Sequence, residues 1–172
     1  EAVERGAHFL ISSVPRISPE SVDPTCKNFN RGDFTRANFE ALDRGADKPI
    51  LLDQDGNVTE GPGFNVFAVV DGVVVTPRDG VLEGITRKAV LEILDMLKIE
   101  HEVRAVSADE FPNAEEIFLS STTGGVIGVS RLDERILTND RPGPMTRRLQ
   151  NEYWRLRETG FHGERIGSFV VD

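Results

Sequence analysis

The chain has 172 residues, 38% apolar and 28% charged, which is the size and mix of one globular domain and leaves little room for a second core. Its 29 acidic against 20 basic residues give a net charge of −9, which repels phosphate backbones and anionic lipid, so nucleic acid and membrane are not expected as partners and an anionic ligand needs a local site. The lone Cys26 precludes an internal disulfide, no apolar run reaches the roughly 20 residues that span a bilayer, and a reducing, cytoplasmic setting is expected.

The opening Glu-Ala-Val-Glu-Arg lacks a leader pattern, and the missing initiator methionine points to a processed, cleaved or truncated chain. Residues 8–16 form a β-prone run stopped by Pro15, and a turn-rich stretch follows to Pro24. Phe34, Ala37, Ala41 and Leu42 keep a helical period over residues 32–43, with Asp33 placed to cap and Gly45 to terminate. Residues 49–52 and 58–60 flank an Asp55-Gly56 turn, and residues 64–70 and 73–76 are joined at Asp71-Gly72, so both pairs read as antiparallel hairpins. After Gly84, Ile85, Ala89, Val90, Ile93, Leu94 and Leu97 mark the clearest helix, with Thr86 where an N-cap belongs. Residues 101–106 and 116–120 read as strands, with a short helical turn near residues 108–111 between them. A strand over residues 126–132 is expected to break at Gly128, and Met145, Leu149, Tyr153 and Leu156 mark a last helix that Pro144 opens. Hairpins interleaved with three helices predict an α+β (α/β) domain around a predominantly antiparallel or mixed sheet.

Several chemistries have no support. His8, His101 and His162 are far apart and have no partner at metal-ligand spacing, so no metal site is expected. There is no nucleotide-binding Gly-x-x-x-x-Gly-Lys-Ser/Thr loop and no Gly-x-Ser-x-Gly elbow. Gly61-Pro-Gly63-Phe-Asn-Val66 starts like a dinucleotide fingerprint, but it has Val for the third glycine and leads into a strand.

Four separated segments are polar or glycine-rich: Cys26-Lys27-Asn28, Glu60 to Asn65, Leu82 to Arg87, and Ser120 to Gly125. Each has an ordinary explanation as a loop, strand end, helix start or turn. Together they meet the needs of pyridoxal phosphate: a lysine for a Schiff base, a carboxylate for the ring nitrogen, and donors for a phosphate. The helix start at Ile85-Thr86 would present amides and the positive dipole end, and the Ser-Thr-Thr-Gly-Gly turn adds hydroxyls and a backbone nest.

At these segments the chain resembles the class IV (fold type IV) pyridoxal-phosphate aminotransferases. The resemblance rests on Lys27-Asn28, the run from Leu51 to Asn65, Thr76-Pro77, Val81 to Arg87, Glu116 to Thr122 and Pro142 to Thr146, in the family's order. It implies a sheet-rich pseudo-barrel with flanking helices, the C-terminal domain of that fold, over residues 1–172. It also implies Lys27 as Schiff-base lysine and proton shuttle, and Glu60 at the ring nitrogen. Ile85, Thr86, Ser121 and Thr122 would lie around the phosphate, Thr123 at the substrate, and Asn65 in a supporting role. The implied activity is ping-pong transfer of an amino group from an amine or amino acid to a keto acid such as pyruvate, in a homodimer. Lys27 to Asp33, Phe39 to Ala46 and Thr122 to Gly125 resemble the (R)-selective amine transaminases more than the branched-chain enzymes. An aminodeoxychorismate-type lyase of the same family is an alternative. So is a non-catalytic fragment, because nothing here matches the N-terminal domain that family members carry.

Overall fold

The structure, a computed structural model, describes residues 2–138 and 140–163. A one-turn helix α1 (Ala2–Arg5) leads into β1 (Ala7–Ile11), and a long loop then runs to α2 (Gly32–Asp43). There follow β2 (Lys48–Ile50), β3 (Glu60–Gly61), β4 (Phe64–Val70) and β5 (Val73–Pro77). Helix α3 (Ile85–Met96) and β6 (His101–Arg104) precede β7 (Glu116–Ser121), β8 (Gly125–Leu132), β9 (Arg135–Ile136) and α4 (Pro144–Glu158).

These strands form one mixed sheet in the order β2-β1-β8-β7-β4-β5-β6, with β3 on β4 and β9 on β8. β1 runs parallel to β2 and β8, and β5 to β6, while the central β4, β7 and β8 are antiparallel. The sheet returns on itself. The Leu51 amide donates to the Glu60 carbonyl at 3.1 Å and the Thr59 amide to the Leu51 carbonyl at 3.0 Å, which ties the end of β2 to β3 and so to β4. The amide of Val58 donates to the Val106 carbonyl at 2.8 Å and draws the chain beyond β6 into the same seam. This closure is the pseudo-barrel expected from the resemblance.

Alternation along the strands divides the core. Phe9, Val66, Ile117, Leu119 and Val129 fill the inside, with the Phe9 and Phe64 rings 5.2 Å apart. Phe67, Val69, Phe118 and Val126 face outward against Val90, Ile93 and Leu94 of α3 and Leu149 and Tyr153 of α4. Phe67 and Phe118 stack there at 4.8 Å, and each such buried side chain contributes about 1.5–3 kcal/mol of transfer free energy. Phe34 and Ala37 of α2 pack against Val14 and Leu51 over the long loop.

Local sequence chemistry explains most boundaries. Asp71 and Gly72 both take positive φ, 50° and 80°, as a type I′ hairpin needs, and Gly45 ends α2 at φ 72°. Three expectations change. Asp33 lies inside α2, after the N-cap Arg31, because its carboxylate is drawn to Arg16 and the Ile17 amide. Thr86 is the second residue of α3, whose N-cap is Gly84. β8 runs unbroken through Gly128, whose missing side chain admits Pro142 and Thr146: a Cβ there would lie 2.6 Å from the Pro142 Cβ.

Candidate active site

The Glu60–Asn65 signature folds as a hairpin. Pro62 and Gly63, the latter at φ 87°, make its corner, and Glu60 pairs with Asn65 across it. Asn65 in turn pairs with Ser120 of β7, so a carboxylate, an amide and a hydroxyl stand in one row on the helix-bearing face of the sheet. Gly84 brings the start of α3 against this row, where a Cβ would overlap the Asn65 amide oxygen.

One cleft lies above the row. Its lining includes Lys27, Glu60, Ile85, Thr86, Ser121 and Thr122, which come from four separated parts of the chain. All six of the residues expected at the cofactor are therefore brought together. Thr123 is not part of the lining; it is exposed at the tip of the hairpin between β7 and β8, next to Thr122. The cleft passes beyond Lys27 into a second recess formed by Arg16, Cys26, Asn28, Asn30 and Phe34.

Glu60 is buried and heavily bonded. Its Oε2 accepts from the Leu82 amide at 3.0 Å and from Asn65 Nδ2 at 3.3 Å, and its Oε1 accepts from Arg16 Nη2 at 3.2 Å. Asn65 also donates to the Leu82 carbonyl at 2.8 Å, the supporting role expected for it. Burial pushes the Glu60 carboxyl above its ordinary value, against the downward pull of the Leu82 amide and of the Arg16 charge.

Arg16 is a buried residue beneath the cleft that pattern reading missed. Its other nitrogen, Nη1, donates to Asp33 Oδ2 at 2.6 Å, and its guanidinium lies 4.2 Å from the centre of the Phe34 ring. It thereby joins Glu60 to the helix that follows the Lys27 loop. Next to Pro15 in a strand exit, it carried no sequence signal of burial.

Lys27 is exposed in its loop and takes part in none of the salt bridges among the described residues. No side chain caps α3, so its first amides are open toward the cleft beside the Thr86 and Thr122 hydroxyls. The site thus offers a free amine, a buried carboxylate and an oxyanion cradle. No group of three or more His, Cys, Asp or Glu side chains among the described residues could hold a metal.

This closed mixed sheet is similar to about half of the chain in solved branched-chain aminotransferase structures. The structure of the Escherichia coli branched-chain amino acid aminotransferase matches 99% of this chain and 56% of its own, with a TM-score of 0.87 at 32% identity. The branched-chain amino acid aminotransferase of Thermobaculum terrenum in its PLP-form matches over 94% and 54%, with a TM-score of 0.86 at 32% identity. In sequence, a probable branched-chain-amino-acid aminotransferase of Thermotoga maritima is 38% identical over 153 residues, 88% of this chain and 55% of that protein. The family model for amino-transferase class IV matches residues 2–132, and the chain belongs to that family. It spans from 28% to 55% of the length of the Thermotoga maritima protein and other curated relatives it matches.

Proposed function

We propose that residues 1–172 are the cofactor-binding C-terminal domain of a pyridoxal-phosphate-dependent aminotransferase that moves an amino group from an amine or amino acid to a keto acid. The observation that carries this reading is the convergence on one cleft of a free lysine, a buried carboxylate and an uncapped helix start flanked by hydroxyls. The residues present fit the cofactor. Ser120 Oγ is buried beside the cleft with no hydrogen-bond partner among the described residues, so a bound polar group would satisfy it. The uncapped amides of α3 suit a phosphate dianion.

When bound, pyridoxal phosphate supplies an aldehyde for amines and a ring that accepts the electron pair of the substrate Cα–H bond. Lys27 Nζ is the amine that would meet the aldehyde and, once released, carry a proton to and from the substrate carbon. Glu60 would hold the proton on the ring nitrogen. Leu82, Asn65 and Arg16 fix its two oxygens, so no reorganisation is needed as charge develops. Ile85, Thr86, Ser121 and Thr122 would anchor the phosphate, and Thr123, at the hairpin tip, would meet substrate. The two substrate halves use this site in turn, a ping-pong cycle with pyruvate as a suitable acceptor.

The homodimer and the substrate pocket are carried by the resemblance alone, and a cytoplasmic setting also by the single cysteine. No helix among the described residues is long and apolar enough to cross a membrane. Borohydride reduction of protein mixed with pyridoxal phosphate, followed by peptide mapping, tests the assignment. The label belongs on Lys27, with Lys48, Lys88 and Lys98 unlabelled and the Lys27→Ala protein blank; label elsewhere would refute it. Pyruvate release from an aminodeoxychorismate-type substrate without an acceptor would point to the lyase, and absence of turnover with the N-terminal half supplied would point to an inert remnant.

A further inference from the structure

Among the described residues the buried charged side chains are Arg16, Asp33, Glu60, Arg87 and Glu116. Arg16 pairs with Asp33 and Glu60, and Glu116 accepts from two amides and a hydroxyl at the start of α4. Arg87 has no such arrangement. It is 6% exposed, and none of the salt bridges among the described residues involves it. Its Nη2 donates to the Pro77 carbonyl at 2.9 Å, and its Nε is buried without a partner among the described residues.

Its place in the fold adds to the cost. Arg87 is the third residue of α3, in the turn where the helix dipole puts its positive end and disfavours a cation. The carboxylates that act on it are engaged elsewhere: Glu83 binds Lys88 at 3.1 Å, and Glu60 is held by Arg16. Burial accordingly pushes the guanidinium below its ordinary value, against the upward pull of Glu83 and Glu60. Gly84, Ile85 and Thr86, immediately before it, line the cleft, and Arg87 itself is not part of the lining. A Cβ on Gly84 would lie 3.8 Å from the Arg87 Cβ, so the base of the side chain sits against the N-cap whose following amides open to the cleft. A buried cation with no ionic partner at the positive end of a helix is costly alone, and it is balanced when an anion lies at that end.

We propose that Arg87 is a positioned counter-charge for the cofactor phosphate: without touching it, the guanidinium strengthens the hold of the α3 start on a dianion, and the cofactor-free protein carries it as an uncompensated buried cation. This rests on the cofactor reading above. The test compares the dissociation constants of pyridoxal phosphate and of pyridoxal for the full chain, read from visible absorption, in the parent, Arg87→Met and Arg87→Gln. Pyridoxal has the same ring and aldehyde without the phosphate, so an effect passed through Glu60 or Lys27 cancels in the ratio of the two constants. The preference for pyridoxal phosphate should fall about tenfold in both variants, and the difference from the parent should persist in high salt because a buried charge is little screened. Cofactor-free Arg87→Gln, which keeps a donor for the Pro77 carbonyl, should unfold at a urea concentration no lower than the parent. A preference unchanged in both variants overturns the inference. So does one lost in Arg87→Met but kept in Arg87→Gln, which would make the bond to Pro77 the role of the side chain, and so does a lowered urea midpoint in Arg87→Gln, which would show the cation to be compensated. If the parent shows no visible band that Lys27→Ala abolishes, the cofactor reading itself fails, and this inference with it.

Discussion

Arg16→Met tests whether the charge arrangement beneath the cleft is understood. The side chains of Arg16, Asp33 and Glu60 are less than a tenth exposed, so methionine fills similar volume while removing the cation that lies between two buried carboxylates. The bonds lost are those of 2.6 Å to Asp33 and 3.2 Å to Glu60, together with the contact to the Phe34 ring. Removing one partner of a buried pair typically costs about 3–5 kcal/mol. Here the lower end is expected, about 3 kcal/mol, because Asp33 keeps the Ile17 and Phe34 amides and Glu60 keeps the Leu82 amide. The loss should shrink in acid. Glu60 is already pushed upward by burial, and without Arg16 it takes up a proton more readily, which removes the repulsion with Asp33. Urea unfolding followed by circular dichroism at neutral and at mildly acidic pH measures both effects, and Arg16→Met combined with Asp33→Asn should recover part of the loss. A neutral-pH change below about 1 kcal/mol, or a loss that grows in acid, would refute the reasoning.

Glu116 accepts from the Met145 and Thr146 amides and the Thr146 hydroxyl at 2.7–2.8 Å, so it caps α4 from a neighbouring strand. Glu116→Leu should cost about 2–3 kcal/mol in urea unfolding, from buried amides left unpaired. Gly128→Ala forces a methyl against Pro142 and Thr146 and should cost about 1–3 kcal/mol by the same assay, while the Gly56→Ala control, where an added Cβ meets open space, loses only what its positive φ requires. Arg104 holds the Glu110 carboxyl below its ordinary value of 4.5 through bonds of 3.0 and 2.7 Å. The stability this pair contributes is present above that value and is lost as pH falls through the lower folded value. The acid limb of a stability–pH curve should therefore flatten in Glu110→Gln.

Periodicity was sufficient where a segment's partner lies nearby along the chain or where any apolar surface would serve. The helix over residues 32–43 coincides with α2, and the Asp71-Gly72 hairpin and the Pro144 start of α4 form as read. At the site, each segment alone had an ordinary explanation; the needs of pyridoxal phosphate taken together and the resemblance to the class IV aminotransferases singled out Lys27, Glu60, Ile85, Thr86, Ser121 and Thr122. Those residues by themselves said nothing of distance; closure of the sheet and the approach of α3 to Asn65 bring them to one cleft.

What only the tertiary structure decided are the features whose cause lies far off in sequence. Asp33 enters the helix instead of capping it because Arg16, 17 residues earlier, offers a stronger partner. Gly128 supports a strand instead of breaking it because Pro142 needs the space. Burial turns Arg16 from an ordinary loop arginine into the link between Glu60 and α2. The sequence by itself determined the elements and the chemical groups, since backbone propensity and apolar period are local. Which of those groups face one another depends on how the chain closes, and there a buried charge or a missing Cβ outweighs the local preference by a few kcal/mol.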